Sequence, residues 1–537
     1  MKIKQDDRLT DWLWLAGLFA AAMLLYSINL GGLPLRDWDE GLVAQVAREI
    51  WRSPPHSLTW LYPTYWGEPY LNKPPLMHLL VAGSYAIAGI NEWSARLPGA
   101  FLTALSVPLL YSIGREAFGQ RIPAVFTALV YLTFLPVVRH GRLAMLDGAV
   151  LCFMLLMVWC LLRSRRDSRY SLGIGIGFGL ICLTKGVMLG LLLGAIALIF
   201  LLWDTPRLIT LPYLWAGIGI GSLPVALWYG AQWLQYGQQF LGVSVVDQSF
   251  RRIWTPVENH VGPPWYYILE LLKYGFPWLL FLPLAFKRVW QNRTLSWAKL
   301  VLVWSGVYLT AISLMATKLP WYILPLYPAL ALAVGAQLAQ FWGSQPIGMK
   351  QSHSSTYSRV WIGVFALFAV IGWVGSLYFA KFSLQPEPDL EVILASVGVS
   401  MTTVAVLIAR QNPQFLSVLI WGSYLSLLLL MTSEHWVWEI AEAYPVKPVA
   451  EIVQQGVPTD QRVYTSYPYN RPSLNFYSDR RVIPASQERL LELWNSNPRP
   501  YFLLDSNALR DLKLQPKAIL NVSKGTENWI LITKEGS

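Results

Sequence analysis

The chain has 537 residues, of which 54% are hydrophobic and only 14% are charged, and it contains 27 Trp, 26 Tyr and 21 Phe. Repeated apolar runs of about 20 residues, the length that spans a bilayer, indicate a polytopic helical membrane protein. This composition excludes a soluble domain, a disordered chain and a coiled coil. All three cysteines lie inside apolar runs, so no disulfide scaffold is expected. The net charge of +11 comes from basic residues scattered between the runs, which favours anionic lipid over nucleic acid as their partner.

The first apolar stretch runs from Trp12 to Leu30 and follows the basic residues Lys2, Lys4 and Arg8. A charged start of this kind can open a secretory signal, whose apolar core is roughly 7 to 15 residues long. The stretch here is longer than such a core. We therefore predict an uncleaved first membrane span.

Hydropathy predicts about thirteen spans, and hence an all-α polytopic membrane protein. After the first, the predicted spans are 96–117, 122–138, 144–163, 171–184, 186–203, 211–230, 265–286, 297–316, 320–341, 359–380, 390–409 and 414–432. Segments 171–184 and 186–203 are separated only by Lys185, so their fusion into one span is the main alternative. Segment 74–90 is apolar but short, and it begins with two prolines.

The distribution of basic residues decides how segment 74–90 is placed, because cytoplasmic loops are enriched in Lys and Arg. If the N-terminus is cytoplasmic and 74–90 does not cross, two basic loops face the cytoplasm: Arg163, Arg165, Arg166 and Arg169, then Lys287, Arg288 and Arg293. Counting 74–90 as a span places both loops outside. We therefore predict that 74–90 lies at the outer interface and that the C-terminus is extracytoplasmic.

Two domains follow from this topology. Residues 1–432 form the transmembrane module, with external loops 31–95, 139–147 and 231–264. Residues 433–537 form a small extracytoplasmic α/β domain, because the tail alternates strand-like runs with helical ones. The predicted strands are 462–467, 474–478, 501–505, 518–522 and 529–533, and the clearest helix is 487–495.

The first external loop carries three carboxylates in the run Arg36-Asp37-Trp38-Asp39-Glu40-Gly41. Carboxylates next to the hydrocarbon are costly, which favours a functional role. Asp39 begins an amphipathic pattern that predicts a helix lying on the membrane. Asp39 as a simple helix cap is the alternative, but a cap needs one acidic group and this run supplies three.

Several cations accompany these carboxylates on the outer side. Lys73 stands between Asn72 and two prolines, which restrict the backbone and place one ammonium at the level of the lipid headgroups. A cation in that position suits a lipid phosphate. The alternative is that the lysine snorkels to ordinary headgroups. Outward arginines run against the charge bias, so we expect those at 139 and 142 to bind an anion or to pair with Asp147. The third loop adds Asp247, Arg251, Arg252, Glu258, Asn259 and His260. Lys318 and Tyr322 are predicted to share one helical face.

A carboxylate base beside a group of cations suits transfer chemistry in which a phosphate is the leaving group. The sequence contains no Walker A loop, Rossmann fingerprint or Gly-x-Ser-x-Gly motif, so nucleotide-driven chemistry and serine hydrolysis have no support. The spacing of Cys and His gives no closed zinc site.

The motifs DWDEG, NKPPL, RLPGA, RLAMLD, LTKG and KLPWYILPLYP occur in this order along the chain. In that order they resemble the membrane glycosyltransferases of GT-C fold, in particular the group of protein O-mannosyltransferases and aminoarabinose transferases (ArnT), over about residues 10–345. The resemblance implies transfer of a sugar from a polyprenyl-phosphate carrier to a lipid, glycan or protein acceptor at the outer face of the cell membrane.

The resemblance also implies roles for individual residues. Asp39 matches a general base or acceptor-orienting group, Lys73 and Tyr322 match positions that hold the carrier phosphate, and Asp147 matches an essential acid. His260 lies near a site histidine of the relatives. Relatives that transfer aminoarabinose carry Glu before the lysine and Arg three residues after the aspartate; this chain has Asn72 and Leu42, which argues against aminoarabinose as the sugar.

We therefore expect Asp39, Glu40 and Asp147 to be catalytic. The expected ligands of the donor phosphate are Lys73, Arg142, Lys318, Tyr322, Arg251 and Arg252. His260 is expected to contact substrate or a metal, and the participation of a divalent cation stays open. The expected mechanism is a single displacement in which Asp39 takes the acceptor proton.

Two alternatives belong to other classes of protein. A transporter or flippase of a lipid-linked sugar would also have many spans, but transporters commonly show internal repeats and ionisable residues near the bilayer midplane. Here the ionisable residues gather at span ends. A binding or scaffold protein would instead use the aromatic stretch 464–471 of the C-terminal domain to hold a carbohydrate.

Overall fold

The computed structural model describes residues 5–256, 260–343, 359–383, 386–437, 446–514, 518–523 and 528–534. Glu258 and Asn259 of the third external loop lie outside these ranges. The chain divides into two compact units. The first unit comprises Met1–Leu30, Leu71–Leu76 and Leu97–Val437, and the second comprises Gly31–Tyr70, Met77–Arg96 and Trp438–Ser537.

Helices dominate the described part of the chain up to residue 432. They are α1 (Gln5–Ser27), α2 (Asp39–Arg52), α3 (Leu76–Ala88), α4 (Glu92–Phe118), α5 (Arg121–Leu132), α6 (Leu135–Gly141), α7 (Asp147–Arg163), α8 (Ser171–Lys185), α9 (Val187–Asp204), α10 (Pro212–Tyr236), α11 (Gln238–Phe240), α12 (Arg251–Trp254), α13 (Tyr266–Tyr274), α14 (Leu282–Gln291), α15 (Ser296–Leu314), α16 (Tyr327–Gly343), α17 (Arg359–Lys381), α18 (Pro388–Ala409) and α19 (Phe415–Thr432). A π-helical segment, Leu241–Phe250, joins α11 to α12. Short 3-10 turns cover Ser168–Tyr170, Pro206–Thr210, Trp278–Phe281 and Pro320–Leu326.

Every predicted span corresponds to a helix or to a bent pair of helices, so the chain is a multi-pass helical membrane protein. Within the described residues, nine helices are long and apolar enough to cross a membrane, and two bent pairs raise that number to as many as eleven. The pairs are α5 with α6, bent by 60°, and α13 with Trp278–Gln291, bent by 115°. The two other predicted spans are the shorter helices α7 and α8, of 17 and 15 residues.

The predicted separation of α8 from α9 depends on one glycine. Gly186 has φ +111°, a backbone conformation that residues with a side chain rarely adopt, and it stands between the two helices. α8 also packs closely on α10, because a Cβ at Gly175 or Gly179 would clash with the backbone of Gly217 or Gly221. Small residues spaced by four are the usual means by which membrane helices approach each other.

Segment 74–90 forms α3, whose 13 residues are too few to span a bilayer of about 30 Å at 1.5 Å per residue. This length agrees with the prediction that the segment does not cross. α3 belongs largely to the second unit, together with α2 and the small antiparallel hairpin of β1 (Thr64–Tyr65) and β2 (Glu68–Pro69).

The C-terminal residues of the second unit form a mixed five-stranded sheet, as the α/β prediction required. Its helices are α20 (Val446–Gly456), α21 (Pro472–Ser478), α22 (Gln487–Ser496) and α23 (Ser506–Leu512), and its strands are β3 (Val463–Thr465), β4 (Val482–Pro484), β5 (Tyr501–Asp505), β6 (Ala518–Ser523) and β7 (Asn528–Thr533). The strand order is β4-β3-β5-β7-β6. β3 is parallel to β4 and β5, whereas β7 is antiparallel to β5 and β6.

The prediction of a strand at 474–478 was wrong, because these residues belong to α21. Pro472 occupies the first turn of that helix, where its missing N–H costs nothing, and Asp479 ends it in a left-handed conformation with φ 51°. α21 packs against α20 and against α2.

The prediction that α2 lies on the membrane was also wrong for its apolar face. Val43, Val46 and Ala47 of that face are 0 to 2% exposed, which means that protein covers them. A Cβ at Gly41 would come within 2.6 Å of the Ser473 backbone nitrogen, so the first turn of α2 packs tightly on α21.

Candidate active site

Two cationic side chains of the first unit, Lys73 and Arg252, donate to the same neutral amide oxygen. The Lys73 ammonium donates to Gln248 Oε1 at 2.9 Å, and Arg252 Nη2 donates to the same oxygen at 2.9 Å. The two charges are therefore at most about 6 Å apart, and at an effective dielectric of about 20 they repel each other by about 3 kcal/mol. Arg252 Nε is buried and has no hydrogen-bond partner among the described residues. The Lys73 and Arg252 side chains therefore share one neutral acceptor.

Tyr322 lies between Arg252 and the ion pair of Lys185 with Asp147. Its hydroxyl accepts a hydrogen bond of 3.0 Å from Arg252 Nη1, and the Lys185 ammonium lies 5.6 Å from the centre of its ring. Tyr322 was predicted to share a helical face with Lys318. That prediction was wrong, because the turn begins at Pro320 and Lys318 precedes it.

Asp147 is paired with Lys185, at 2.5 Å, rather than placed in an open loop. Asp147 is the first residue of α7 and Lys185 is the last residue of α8. A carboxylate at a helix N-terminus and an ammonium at a helix C-terminus are each stabilised by the helix dipole. Asp147 is 5% exposed, so the carboxylate is buried and the pair is held in place beside Tyr322.

The Lys318 side chain binds backbone carbonyl groups. Its ammonium donates to the carbonyl oxygens of Ile312 at 3.0 Å and Ser313 at 2.7 Å, in the last turn of α15. The side chain is 3% exposed, and burial lowers its pKa. Its backbone N–H also donates to the His260 carbonyl, at 3.0 Å. These bonds fix the backbone that leads into the Pro320 turn, which carries Tyr322.

Arg142 also binds backbone rather than facing an open site. Its guanidinium donates to the carbonyl oxygens of Met431, at 3.3 Å, and Ile28, and it lies 4.4 Å from the centre of the Trp436 ring. The side chain is fully buried. Arg142 therefore ties the end of α1 to the end of α19.

Arg251 is the most exposed of the predicted phosphate ligands. It pairs with Asp247 one turn earlier at 3.3 Å, and the two side chains are 61% and 48% exposed. Surface pairs of this kind contribute about 0 to 1 kcal/mol. Arg251 thus differs from its neighbour Arg252, which reaches both Gln248 and Tyr322.

In the second unit, Glu40 forms a fully buried ion pair with Arg96. Arg96 Nε and Nη2 donate to the two carboxylate oxygens, both at 2.7 Å, and both side chains are 0% exposed. Arg96 also donates to the carbonyls of Leu33 and Pro34, while Glu40 accepts from the Arg36 N–H at 2.9 Å. This network shapes the chain immediately before α2. Glu40 was expected to be catalytic, but a fully buried, doubly bonded carboxylate supports a positioning role instead.

Asp37 is likewise held by protein. Its carboxylate accepts from the Ser473 hydroxyl at 2.7 Å and from the Ser473 N–H at 3.1 Å, and Arg471 Nε lies 3.9 Å away. Burial raises the pKa of Asp37, although the bonds from Ser473 and the charge of Arg471 oppose that rise. The bonds attach the chain just before α2 to α21 within the second unit.

Asp39 is the accessible member of the three carboxylates. It is the first residue of α2 and is partly exposed, whereas Asp37 and Glu40 are 4% and 0% exposed. No side chain caps the helix at Trp38. The fold thus uses Asp37 and Glu40 to shape the loop, and Asp39 is the least buried of the three acids.

The structure brings together only part of the predicted site. Lys73 and Arg252 share the Gln248 oxygen, and Tyr322 accepts from Arg252. Asp147 pairs with Lys185, whose ammonium lies beside the Tyr322 ring. Gln248 and Arg96 were missed as functional residues. Arg96 stands in the RLPGA motif, which was the signal for it, whereas a glutamine in a long loop carries no signal of its own.

The chain is similar in sequence to proteins that are named as sugar transferases. The family model described as dolichyl-phosphate-mannose-protein mannosyltransferase matches residues 72–229. The undecaprenyl phosphate-alpha-4-amino-4-deoxy-L-arabinose arabinosyl transferase 2 of Pseudomonas fluorescens (strain Pf0-1) is 31% identical over 60% of this chain and 59% of its own length. The corresponding transferase of Shewanella sediminis is 26% identical over 86% of this chain and 84% of its own length. The chain thus matches about three fifths of the length of the first of these relatives.

Among solved structures, ArnT from Cupriavidus metallidurans bound to undecaprenyl phosphate superposes with a TM-score of 0.77 over 98% of both chains, at 18% identity. The same protein in the apo state gives a TM-score of 0.75. The fold is therefore that of the polytopic GT-C membrane proteins. Within that class, the sequence and structural similarities together confirm the resemblance to the ArnT-like group.

Proposed function

We propose that this protein transfers a sugar from a polyprenyl-phosphate carrier to an acceptor at the outer face of the membrane. The observation that carries the proposal is that Lys73 and Arg252 both donate to one neutral amide oxygen, while Arg252 Nε has no hydrogen-bond partner within the described part of the chain. A phosphate oxygen in this place would satisfy both cations with charge-assisted hydrogen bonds. The same class of donor is supported by the similarity to an undecaprenyl phosphate-aminoarabinose transferase and by the undecaprenyl phosphate bound to the Cupriavidus metallidurans protein.

The reaction proposed is a single displacement. An acceptor hydroxyl attacks the anomeric carbon, the bond from that carbon to the phosphate oxygen breaks, and Asp39 takes the acceptor proton. Lys73, Arg252 and Tyr322 offset the charge that develops on the departing phosphate, with Lys185 and Asp147 as the fixed pair beside them. Arg251 is proposed as an outer contact to the same phosphate. Lys318, Arg142 and Glu40 act as positioning residues, and His260 is proposed to contact the substrate.

The proposed topology follows from the charge bias. The N-terminus is cytoplasmic, the first external loop and the C-terminal α/β domain are extracytoplasmic, and the protein resides in the inner or plasma membrane. In this orientation Lys73 and Asp39 belong to loops on the outer side, where the proposed transfer takes place.

Metal ions are not part of this proposal, because the donor groups do not fit one. No group of three or more His, Cys, Asp or Glu side chains in the described part of the chain could hold a metal ion. Glu40 is already bound by Arg96, and Asp147 by Lys185. The positive charge that a divalent cation would bring is supplied in the proposed site by Lys73, Arg252 and Lys185.

The rate of sugar transfer in the presence of a chelator tests whether the protein needs a metal ion. We expect the turnover of the purified protein to be the same in EDTA as in buffer with added Mg²⁺ or Mn²⁺. The measurement is the rate at which free polyprenyl phosphate appears. Loss of turnover in EDTA, restored by one of these ions, would show that the protein uses a metal after all.

The phosphate site is tested by Lys73→Gln and Arg252→Gln. Each variant loses one charge-assisted hydrogen bond of about 1.5 to 3 kcal/mol, so we expect the dissociation constant of the donor to rise by about 10- to 100-fold. The measurement is binding of undecaprenyl-phosphate sugars to the purified variants. The donors span aminoarabinose and neutral sugars, because Asn72 and Leu42 depart from the aminoarabinose transferases.

The matched control is Lys381→Gln, which removes an exposed cation from the last turn of α17 in the same unit. Donor binding should be unchanged in this variant. Equal donor affinity in the wild type and in both site variants would contradict the proposed phosphate site. Passage of a labelled lipid-linked sugar across sealed vesicles, with no new glycosidic bond, would point to a flippase instead.

A further inference from the structure

A polar cavity lies in the first unit, away from the proposed phosphate site. Its volume is about 550 Å³, and Ser296, the first residue of α15, lines it. The last turn of the same helix carries the carbonyls that bind Lys318. The 19 residues of α15 place the two ends about 28 Å apart at 1.5 Å per residue. The cavity is therefore separate from the proposed phosphate site.

The lining of this cavity includes one cation, three side-chain amides and two aromatic rings, besides small and aliphatic residues. Arg288 supplies the charge, and Gln120, Asn292 and Gln340 supply the amides. The rings of Phe118 and Trp297 form an apolar wall, with their centres 5.4 Å apart. A volume of this size is typical of sites for small molecules or headgroups, which lie in the range of about 300 to 1,000 Å³.

The charge of Arg288 has no counterion among the described residues. Its Nη1 donates to Gln340 Oε1, and its Nε is buried without a hydrogen-bond partner in that part of the chain. No described carboxylate lies within ion-pair distance of its guanidinium. A buried donor of a guanidinium that lacks a partner is costly, and an anion with two oxygens would remove that cost.

The carboxylates near the cavity are already neutralised by other cations. Asp204, which accepts from the Ser296 hydroxyl at 3.0 Å, pairs with Arg165 at 2.9 Å and with Lys299 at 3.5 Å. Glu116, next to the cavity residue Ala117, pairs with Arg163 at 2.6 Å and with Arg166 at 3.1 Å. The cavity therefore keeps a net positive charge.

We propose that this cavity binds the phosphate of an anionic phospholipid headgroup. The Arg288 guanidinium takes the phosphate oxygens, the amides take the hydroxyl groups of the headgroup, and Trp297 lies at the level of the lipid interface. In the topology proposed above the cavity opens on the cytoplasmic side, where anionic lipids attract basic residues. This cavity is distinct from the proposed sugar-transfer site, so lipid binding there can be tested independently of the proposed activity.

The test is lipid binding to the purified full chain by native mass spectrometry. The probes are dioleoylphosphatidylglycerol, the zwitterionic dioleoylphosphatidylcholine, and soluble glycerol 1-phosphate. We expect one phosphatidylglycerol to bind in preference to phosphatidylcholine. Arg288→Gln should weaken phosphatidylglycerol binding by about 10- to 100-fold. Lys287→Gln, an exposed neighbour that does not line the cavity, should bind as the wild type does.

A second variant covers the case in which Arg288→Gln fails to fold. Ala339→Phe keeps the charge but fills the cavity, and it should also weaken phosphatidylglycerol binding. The thermal midpoint of each variant reports whether it is folded. Unchanged phosphatidylglycerol binding in both variants would overturn the proposal. Binding of glycerol 1-phosphate as tight as that of the lipid would overturn it too, since the site would then serve a soluble phosphate.

Discussion

We expect replacement of Asp39 with Asn to lower the rate of sugar transfer by about 100-fold or more, the usual contribution of a general base. Among the three carboxylates at Asp37, Asp39 and Glu40, the substitution removes the one that is not buried, while it keeps the size of the side chain. Donor binding should be unchanged, because the proposed phosphate ligands lie elsewhere in the chain. The measurement is the turnover number and KM for the donor, followed through release of polyprenyl phosphate.

The control for this variant is Glu68→Gln, which removes another carboxylate from the same loop. Glu68 is 67% exposed and pairs with Arg481 at 3.5 Å, so its loss should leave turnover unchanged. Wild-type turnover in Asp39→Asn would show that another group takes the proton. A sugar trapped covalently on the protein would exclude the single displacement.

The membrane helices could be predicted from the sequence because span length is a local property. A run of about 20 apolar residues is visible in any window, and so are the charges that flank it. The bends could not be predicted, since they depend on the neighbours against which each half-helix packs. For that reason the predicted span 122–138 became α5 and α6, with a bend of 60° between them.

The candidate site was only partly predictable, for a physical reason. Motifs identified Lys73, Asp147 and Tyr322 one by one, but their partners are distant in sequence. Gln248 is 175 residues from Lys73, and Arg96 is 56 residues from Glu40. Contacts of that separation are set by tertiary packing, which no local pattern encodes. The sequence therefore indicated which residues carry charge, and the fold decided which of these charges remain available.

The roles of the cations were likewise predictable only in part from the sequence. Lys318 and Arg142 look as suitable for binding phosphate as Lys73 does when only the sequence is known. In the structure each of the two donates to backbone carbonyls at the end of a helix, where the helix dipole also favours a positive charge. A buried cation that satisfies carbonyls stabilises the scaffold, whereas a cation held by a neutral amide beside a second cation is prepared for an anionic ligand.

The largest expected effect on stability comes from Arg96→Met. This change leaves the Glu40 carboxylate buried without its partner and removes the donors to the carbonyls of Leu33 and Pro34. Breaking one side of a fully buried ion pair typically costs about 3 to 5 kcal/mol. We expect the free energy of unfolding to fall by that amount, measured by chemical denaturation of the purified protein in detergent.

The double variant Glu40→Gln/Arg96→Met distinguishes the lost pair from a general loss of packing. With the uncompensated charge gone, the double variant should be more stable than Arg96→Met alone, and the coupling free energy from the cycle should be large. The exposed pair of Glu68 with Arg481 supplies the comparison, because Arg481→Met should cost no more than about 1 kcal/mol. Equal destabilisation by Arg96→Met and Arg481→Met would contradict the structural role of the Glu40 pair. In that case the accessibility of Asp39 would have to depend on other contacts, since the network that shapes the chain before α2 would not be holding it.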